Sequence, residues 1–409
     1  MSLGDGVPEA AGFWISDLHE LWVVAFVAVV LCSHFGLRLA LYNRLNACGW
    51  PRRWIKRTEV VLLAETWLTP VVVAWWLSPT LVRWWRSDSL WPDLPVGWSA
   101  ATLAQLAITG VLGVLWLIWR PVWKIQWAVA QRAETVVDLR KYVAGPLPRT
   151  RKCRAAARLP FNQMFDLATA EIELTVPGLP IELDGYRIAH LSDIHLTGQV
   201  DPAYAREVVR RAVVWQPDWI ALTGDIVDKP IGLDWIESIF SQASAKDGCH
   251  FILGNHDTRV AEPDDVRRRM RWSGWTDLGG VCLSQTMRGL PVRLIGNEYP
   301  WFHRPSLATR PDRGRQHSFS ICLSHSPDQF DWCRSHGVQL MLAGHTHGGQ
   351  GRLPLAGPIL SPSWHGSRWA SGDFYRAPTT LHVSRGLGGV HLLRIRCRPE
   401  LSLLTLRCP

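Results

Sequence analysis

Apolar residues are distributed in two different ways along this chain. Before about residue 127 they form long unbroken runs; after about residue 160 they form runs of four to six, each closed by polar residues. The long runs cover residues 21–37, 60–77 and 103–119, each 17 or 18 residues. At 1.5 Å per residue, a helix of that length just covers a hydrocarbon core of about 30 Å, so the pattern predicts three transmembrane helices. The first contains His34 and runs on to Arg38, the second contains Glu65 and Pro70, and the third carries no charge. A carboxylate inside a span needs a partner, which leaves open whether 60–77 crosses fully. Within 128–143, Val129, Val136, Val137, Leu139 and Val143 fall at helical spacing ahead of Gly145-Pro146. This predicts a helix leaving the bilayer.

Composition sharpens that division. A hydrophobic fraction of 47% with 19% charged residues excludes a disordered chain. Of the 24 Trp, 15 lie in residues 1–127, and Trp22, Trp75, Trp76, Trp116 and Trp119 flank the runs as interfacial anchors do. Of 44 Lys and Arg, 18 lie in 1–160 against 10 Asp and Glu, so nearly all of the +9 net charge belongs to the front of the chain. Asp5, Glu9, Asp17 and Glu20 precede the first run, and Arg44, Arg52, Arg53, Lys56 and Arg57 follow it. Arg120, Lys124 and further basic residues follow the third run. By the positive-inside rule the N-terminus lies outside and everything after residue 127 lies in the cytoplasm. No small-residue cleavage site follows the first run, which therefore reads as an anchor. Residues 149–158 read either as a binder of anionic headgroups or as a solvated linker. The nine Cys show no CxxC spacing and read as reduced thiols.

The short runs carry the chemistry. Residues 186–191 lead into Ser192-Asp193-Ile194-His195, and 219–223 into Gly224-Asp225. Residues 250–253 lead into Gly254-Asn255-His256-Asp257, 319–323 into Ser324-His325, and 338–342 into Gly344-His345-Thr346-His347. Five strands that each end in metal-binding side chains are what a site at the carboxyl edge of a sheet requires. Gly224, Gly254 and Gly344 let the backbone turn sharply there. Asp17-Leu18-His19 follows no β run and reads as coincidence, and His190 reads as a packed histidine. Asp193, His195, Asp225, Asn255, His325, His345 and His347 form a mixed oxygen and imidazole set. Seven such ligands suit two divalent ions, Mn, Fe or Zn, sharing a bridging carboxylate. Such a pair stabilises both the attacking and the departing oxygen of an in-line phosphoryl displacement, so hydrolysis of a phosphoester or pyrophosphate follows.

Together these motifs resemble those of the calcineurin-like metallophosphoesterases over roughly residues 160–409. Gly344-His345-Thr346-His347-Gly348-Gly349-Gln350, Leu353-Pro354, the stretch Val383-Ser384-Arg385-Gly386-Leu387-Gly388, and Pro399-Glu400 resemble a membrane-attached branch. That branch includes bacterial hydrolases of UDP-2,3-diacylglucosamine in lipid A synthesis. The resemblance implies an α/β domain built as a two-sheet β-sandwich flanked by helices. It implies that Asp193, His195, Asp225 and His347 hold one ion, and that Asp225, Asn255, His325 and His345 hold the other. His256 is then the general acid, oriented by Asp257, for which a turn-capping role is the alternative. At Gly296-Asn297-Glu298-Tyr299-Pro300 the chain departs from the acidic pair common in that branch.

The expected organisation is a transmembrane region over 1–127, a basic juxtamembrane linker helix over 128–159, and the catalytic domain over 160–409. The expected activity is that of an integral protein of a bacterial inner membrane, hydrolysing a lipid-linked phosphate or pyrophosphate at the cytoplasmic face. Its expected partners are the bilayer and that substrate, with no nucleic acid. A soluble substrate, such as a cyclic nucleotide or a phosphoprotein, with the membrane part serving as anchor, is the alternative. Arg267, Arg268, Arg269 and Arg271 read as a solvated face or a phosphate- or membrane-facing group, and Arg385 as a phosphate ligand or a structural partner.

Overall fold

A computed structural model describes residues 10–122, 126–260, 262–306, 319–354 and 357–409. Asp5, Glu9 and Lys124 lie outside the described residues, as do the side chains of Asp17, Trp116, Trp119 and Arg120. The chain divides into two compact units, Met1–Leu45 with Pro51–Lys124, and Asn46–Trp50 with Ile125–Pro409.

In the first unit the long apolar runs become α1 (Ala10–Leu45), α2 (Arg52–Trp85) and α3 (Val96–Val122). All three are long and apolar enough to cross a membrane. Their outward surfaces stay apolar: Val60, Val61, Trp67 and Trp75 are each about two-thirds exposed or more. Glu65 finds the partner that an intramembrane carboxylate needs, because Arg38 Nη2 donates to its Oε1 at 2.6 Å. His34 Nε2 lies 3.1 Å from the Thr66 carbonyl, and Gln105 Nε2 donates to the Val30 carbonyl at 3.1 Å. Glu65, His34 and Gln105 are thus turned toward neighbouring helices.

The second unit opens with β1 (Gln126–Trp127), β2 (Ala130–Asp138), α4 (Arg151–Ala157) and β3 (Asp166–Thr175). It continues through β4 (Arg187–Leu191), α5 (Pro202–Val214), β5 (Trp219–Thr223), α6 (Ile236–Phe240), β6 (Cys249–Ile252), α7 (Pro263–Trp272) and β7 (Thr276–Asp277). Next come β8 (Cys282–Met287), β9 (Leu290–Asn297), β10 (Phe319–Ser324), α8 (Phe330–Ser335) and β11 (Leu340–Ala343). A small hairpin, β12 (Arg352–Leu353) and β13 (Gly357–Pro358), precedes β14 (Gly372–Arg376), β15 (Thr379–Val383) and β16 (Glu400–Arg407). Among the described residues the remaining strands form two seven-stranded sheets, ordered β2-β3-β16-β4-β5-β6-β7 and β1-β14-β15-β11-β10-β9-β8.

Both sheets are mixed. β4, β5 and β6 run parallel in one, and β9, β10, β11 and β15 run parallel in the other. These strands are short continuous apolar runs because both of their faces are covered. Along β5, Trp219 and Ala221 face the core between the sheets, where they meet Ile321, Leu340 and Leu342. Ile220 and Leu222 face outward against Val208 of α5, Phe240 of α6 and Met270 of α7. The carboxyl ends of β4, β5, β6, β10 and β11 therefore carry the five polar clusters.

Residues 128–159 do not form the expected linker helix. β2 pairs antiparallel with β3 from Ala130↔Leu174 to Asp138↔Asp166, so residues 130–138 are an edge strand of the first sheet, and the only α-helix among 128–159 is the short α4. Thr135-Val136-Val137 is β-branched and suits an extended backbone, and β3 supplies the ladder that decides between the two readings. Arg132 and Arg140, in and just after β2, are tied to the domain: Arg132 Nη2 donates to Glu400 Oε2 at 2.5 Å, and Arg140 Nε to Asp138 Oδ1 at 2.8 Å.

Candidate metal centre

The first group of candidate ligands sits where β4, β5 and β11 end. Asp193, His195, Asp225 and His347 each present a donor atom within 4.8 Å of the others, and Asp225, His325 and His345 form a second group that shares Asp225. Asn255 joins the second group through its Oδ1, 3.1 Å from His325 Nε2. All seven expected ligands thus lie in one cluster, and the two groups meet at the carboxylate that the sequence reading made the bridge. The backbone is held in an unusual state to achieve this. Asp193, His195, Asp225, His345 and His347 all have positive φ, between 51° and 69°. Such conformations cost about 1–3 kcal/mol each and persist where the surroundings over-determine them.

The glycines act differently from the expectation. Only Gly224, at φ 85°, supplies a left-handed turn. A Cβ on Gly254 would lie 2.3 Å from Asp225 Oδ1, and one on Gly344 would lie 1.8 Å from Ser192 Oγ. At those two positions glycine is needed because ligand-bearing loops pass against the backbone, not because of a turn.

The donor set fits divalent cations. His195 Nε2 and His347 Nε2 face each other at 3.1 Å, and His325 Nε2 and His345 Nδ1 at 3.2 Å. Two nitrogens bound to one ion about 2.1 Å away stand at about this separation. Asp225 Oδ2 is buried and accepts no hydrogen bond, while Oδ1 accepts the His256 backbone N–H at 2.7 Å. An anionic oxygen left bare in the interior calls for a positive partner. Burial drives the His345 and His347 rings well below the usual histidine range, keeping them neutral with lone pairs available. Burial raises Asp225, but His325 and His256 outweigh it and hold the carboxyl well below the usual range.

Outer partners fix these side chains. Ser192 Oγ donates to Asp193 Oδ2 at 2.6 Å, and Thr223 Oγ1 donates to Ser192 Oγ at 2.8 Å. His195 Nδ1 bonds Asp228 Oδ2 at 2.8 Å, and His325 Nδ1 donates to the Thr223 carbonyl at 2.7 Å. Trp301 covers the second group, its ring 5.3 Å from that of His325 and 4.7 Å from that of His345.

His256 stands beside the cluster, and its orienting carboxylate is Asp228 instead of the expected Asp257. His256 Nδ1 bonds Asp228 Oδ1, which also receives Arg259 Nη1 at 2.9 Å. Arg259 Nη2 donates to His256 Nε2 at 2.5 Å. Burial raises the Asp228 carboxyl, but the His195 and His256 rings hold it far below the usual carboxylate range. Burial pushes His256 down to about 4 against the pull of Asp225, so the free ring is neutral. Asp257 is instead a backbone cap. Its Oδ1 accepts the N–H groups of Ile226 at 3.0 Å and Val227 at 2.8 Å, and its Oδ2 accepts that of Gly254 at 2.8 Å. Asp228 follows Asp225 by three residues, and that spacing was the signal in the sequence that could have found it.

The arginines left open have carboxylate partners. Arg385 bonds Glu400 and, at 2.7 Å, Glu134. Arg267 spans Asp277 at 2.7 Å and Glu298 at 2.6 Å, while Arg268 pairs with Asp265 and Arg271 with Asp277. Glu298 Oε1 in turn accepts the Leu253 N–H at 2.5 Å, directly before the Gly254-Asn255-His256 loop. This is the role of the residue where the chain departs from its resembled branch. Arg267→Leu leaves that buried carboxylate unpaired, so it is expected to cost about 3–5 kcal/mol in chemical denaturation. The metal content of the folded fraction should not change.

Comparison with known proteins agrees with this geometry. The model of the calcineurin-like phosphoesterase family matches residues 186–349. The metallophosphoesterase YkuE of Bacillus subtilis, itself uncharacterized, is 29% identical over 246 residues, covering 59% of this chain and 86% of that protein. The phosphodiesterase YaeI of Escherichia coli is 27% identical over 227 residues, covering 54% and 82%. The UDP-2,3-diacylglucosamine pyrophosphatase LpxG of Chlamydia muridarum is 22% identical over 295 residues, covering 59% and 89%. The second unit thus carries a calcineurin-like phosphoesterase domain over residues 186–349.

Proposed function

We propose that this protein is a membrane-anchored hydrolase that uses two divalent ions to cleave a lipid-linked phosphodiester or pyrophosphate, such as UDP-2,3-diacylglucosamine, at the cytoplasmic face of a bacterial inner membrane. The observation that carries this reading is the convergence of seven ligand-type side chains around Asp225 in a chain with three helices apolar enough to span a bilayer. The name of the LpxG relative supports the substrate class, and the basic residues from Arg44 to Arg57 support the orientation.

Asp193, His195, Asp225 and His347 would hold one ion, and Asp225, Asn255, His325 and His345 the other. When bound, the ions supply positive charge to the phosphoryl oxygens and to the attacking and departing oxygens. The remaining work falls to the side chains. Trp301 shields the second ligand group from water. His256, held at Nδ1 by Asp228, turns Nε2 toward Arg259. A substrate phosphoryl oxygen competes for that guanidinium and adds negative charge beside the ring, which favours the imidazolium. His256 Nε2 then delivers its proton to the departing oxygen.

Purified full-length protein supplied with Mn2+ is expected to hydrolyse the UDP-lipid faster than bis(p-nitrophenyl) phosphate or cyclic nucleotides, with chelator stopping every reaction. A faster rate on a soluble nucleotide would transfer the assignment to the soluble-substrate reading. Full activity in chelator would exclude both readings.

A further inference from the structure

Away from the candidate metal centre, α4 and the turn after it bring exposed cations that make no ion pair among the described residues together with exposed apolar side chains. α4 is anchored from below: Cys153 is fully buried, and Thr150 Oγ1 accepts the Cys153 N–H at 3.1 Å. Its other faces carry Arg151, Lys152 and Arg154, and Arg158 follows at its end, all exposed. None of the four makes an ion pair among the described residues. Arg149, only two positions before α4, does: it lies 3.6 Å from Asp201, and its guanidinium sits over the Trp235 ring. The exposed arginines of α7 likewise have their own carboxylates, Arg268 with Asp265 and Arg271 with Asp277.

Directly beside these cations stand two bare hydrophobic side chains. Leu159 is 51% exposed and Phe161 is 83% exposed. Single exposed hydrophobics are ordinary, but Phe161 also has φ 64°, in the left-handed region that bulky residues rarely enter. The turn is pinned on both sides, since Asn162 Nδ2 donates to the carbonyls of Ala156 and Leu392, each at 2.8 Å. The fold thus holds an aromatic ring out in solvent, at a conformational cost, next to four cations without ion-pair partners.

We propose that residues 151–161 form a docking patch for an anionic bilayer surface. The cations would meet lipid phosphates while Leu159 and Phe161 enter the headgroup boundary. Basic residues interleaved with exposed Leu and Phe are the chemistry of interfacial membrane contact. The same chain contains three helices able to span a membrane, which keeps the domain tethered near such a surface. The patch fixes how the domain faces the lipid and holds whether the substrate is lipid-linked or soluble, so its test does not depend on activity.

The test is hydrogen–deuterium exchange of full-length protein in nanodiscs of phosphatidylcholine, compared with discs in which about a third of the lipid is phosphatidylglycerol. Amides of 150–162 are expected to exchange about tenfold more slowly in the anionic discs, with the difference shrinking as salt rises. Combined R151Q, K152Q, R154Q and R158Q should remove the difference. Phe161→Gly, which relieves the left-handed backbone, should weaken the protection without lowering thermal stability. Equal exchange in both lipids, or protection that persists in the quadruple variant, would overturn the proposal. Protection produced by added RNA and not by anionic lipid would overturn it as well.

Discussion

Asp225→Asn should leave a folded protein that has lost at least about a thousandfold in turnover, more than the roughly 10–100-fold carried by outer partners of metal ligands. The reasoning is electrostatic. Asp225 is fully buried, stands 3.5 Å from His195 Nε2 and 3.3 Å from His325 Nε2, and is the one anion shared by both ligand groups. An asparagine oxygen can still accept the His256 N–H, so the loop geometry survives. What disappears is the negative charge between the two groups. Elemental analysis beside a turnover assay checks this: metal content should fall together with rate, while the melting temperature measured in chelator should stay within a few degrees of wild type. A variant that keeps both metal and rate would show that Asp225 is not the shared ligand.

His256→Ala is expected to lower kcat by about 10²–10⁴-fold, the range of a lost general acid, with little change in metal content. Its neighbours separate the roles that the sequence had merged. Asp228→Asn keeps the ring but removes the carboxylate that bonds His256 and His195, so kcat should fall in the same direction. Asp257→Asn should act on stability instead. Its two oxygens accept three backbone N–H groups, and an amide nitrogen in place of one oxygen leaves a buried donor unsatisfied, at about 1–3 kcal/mol. Steady-state kinetics and denaturation on the three variants distinguish the cases. If Asp257→Asn lost more kcat than Asp228→Asn, the original assignment would be restored.

The candidate site was legible because its metal-binding side chains come from the ends of strands. A buried parallel strand appears as a short apolar run with a polar stop, and five such stops hold all seven candidate ligands in sequence order. Glu65 was legible as a residue in need of a partner, and Arg38 supplies it. What the sequence hid depends on contacts distant along the chain. Val129, Val136 and Val137 have helical spacing, yet β3 recruits them into a sheet edge, and no local pattern announces β3 as a neighbour. Asp228 and Asp257 are both acids near His256. Only the folded loops show that Asp228 faces the ring and Asp257 faces backbone amides. Gly254 and Gly344 were expected to turn the chain, but they make room for Asp225 and Ser192, a requirement set by a different strand. Trp301, which covers His325 and His345, follows Tyr299 and Pro300 in a loop with no ligand pattern of its own.

The measurement that bears most directly on the central claim is metal stoichiometry coupled to turnover. Full-length protein stripped with chelator and reloaded stepwise with Mn2+ would be assayed at each step for bound metal and for hydrolysis of bis(p-nitrophenyl) phosphate. Two ions per wild-type chain are expected, with hydrolysis appearing as loading proceeds and Asp225→Asn failing to reach full loading. Turnover in the fully stripped protein, or a wild-type chain that saturates without binding a second ion, would contradict the dinuclear site.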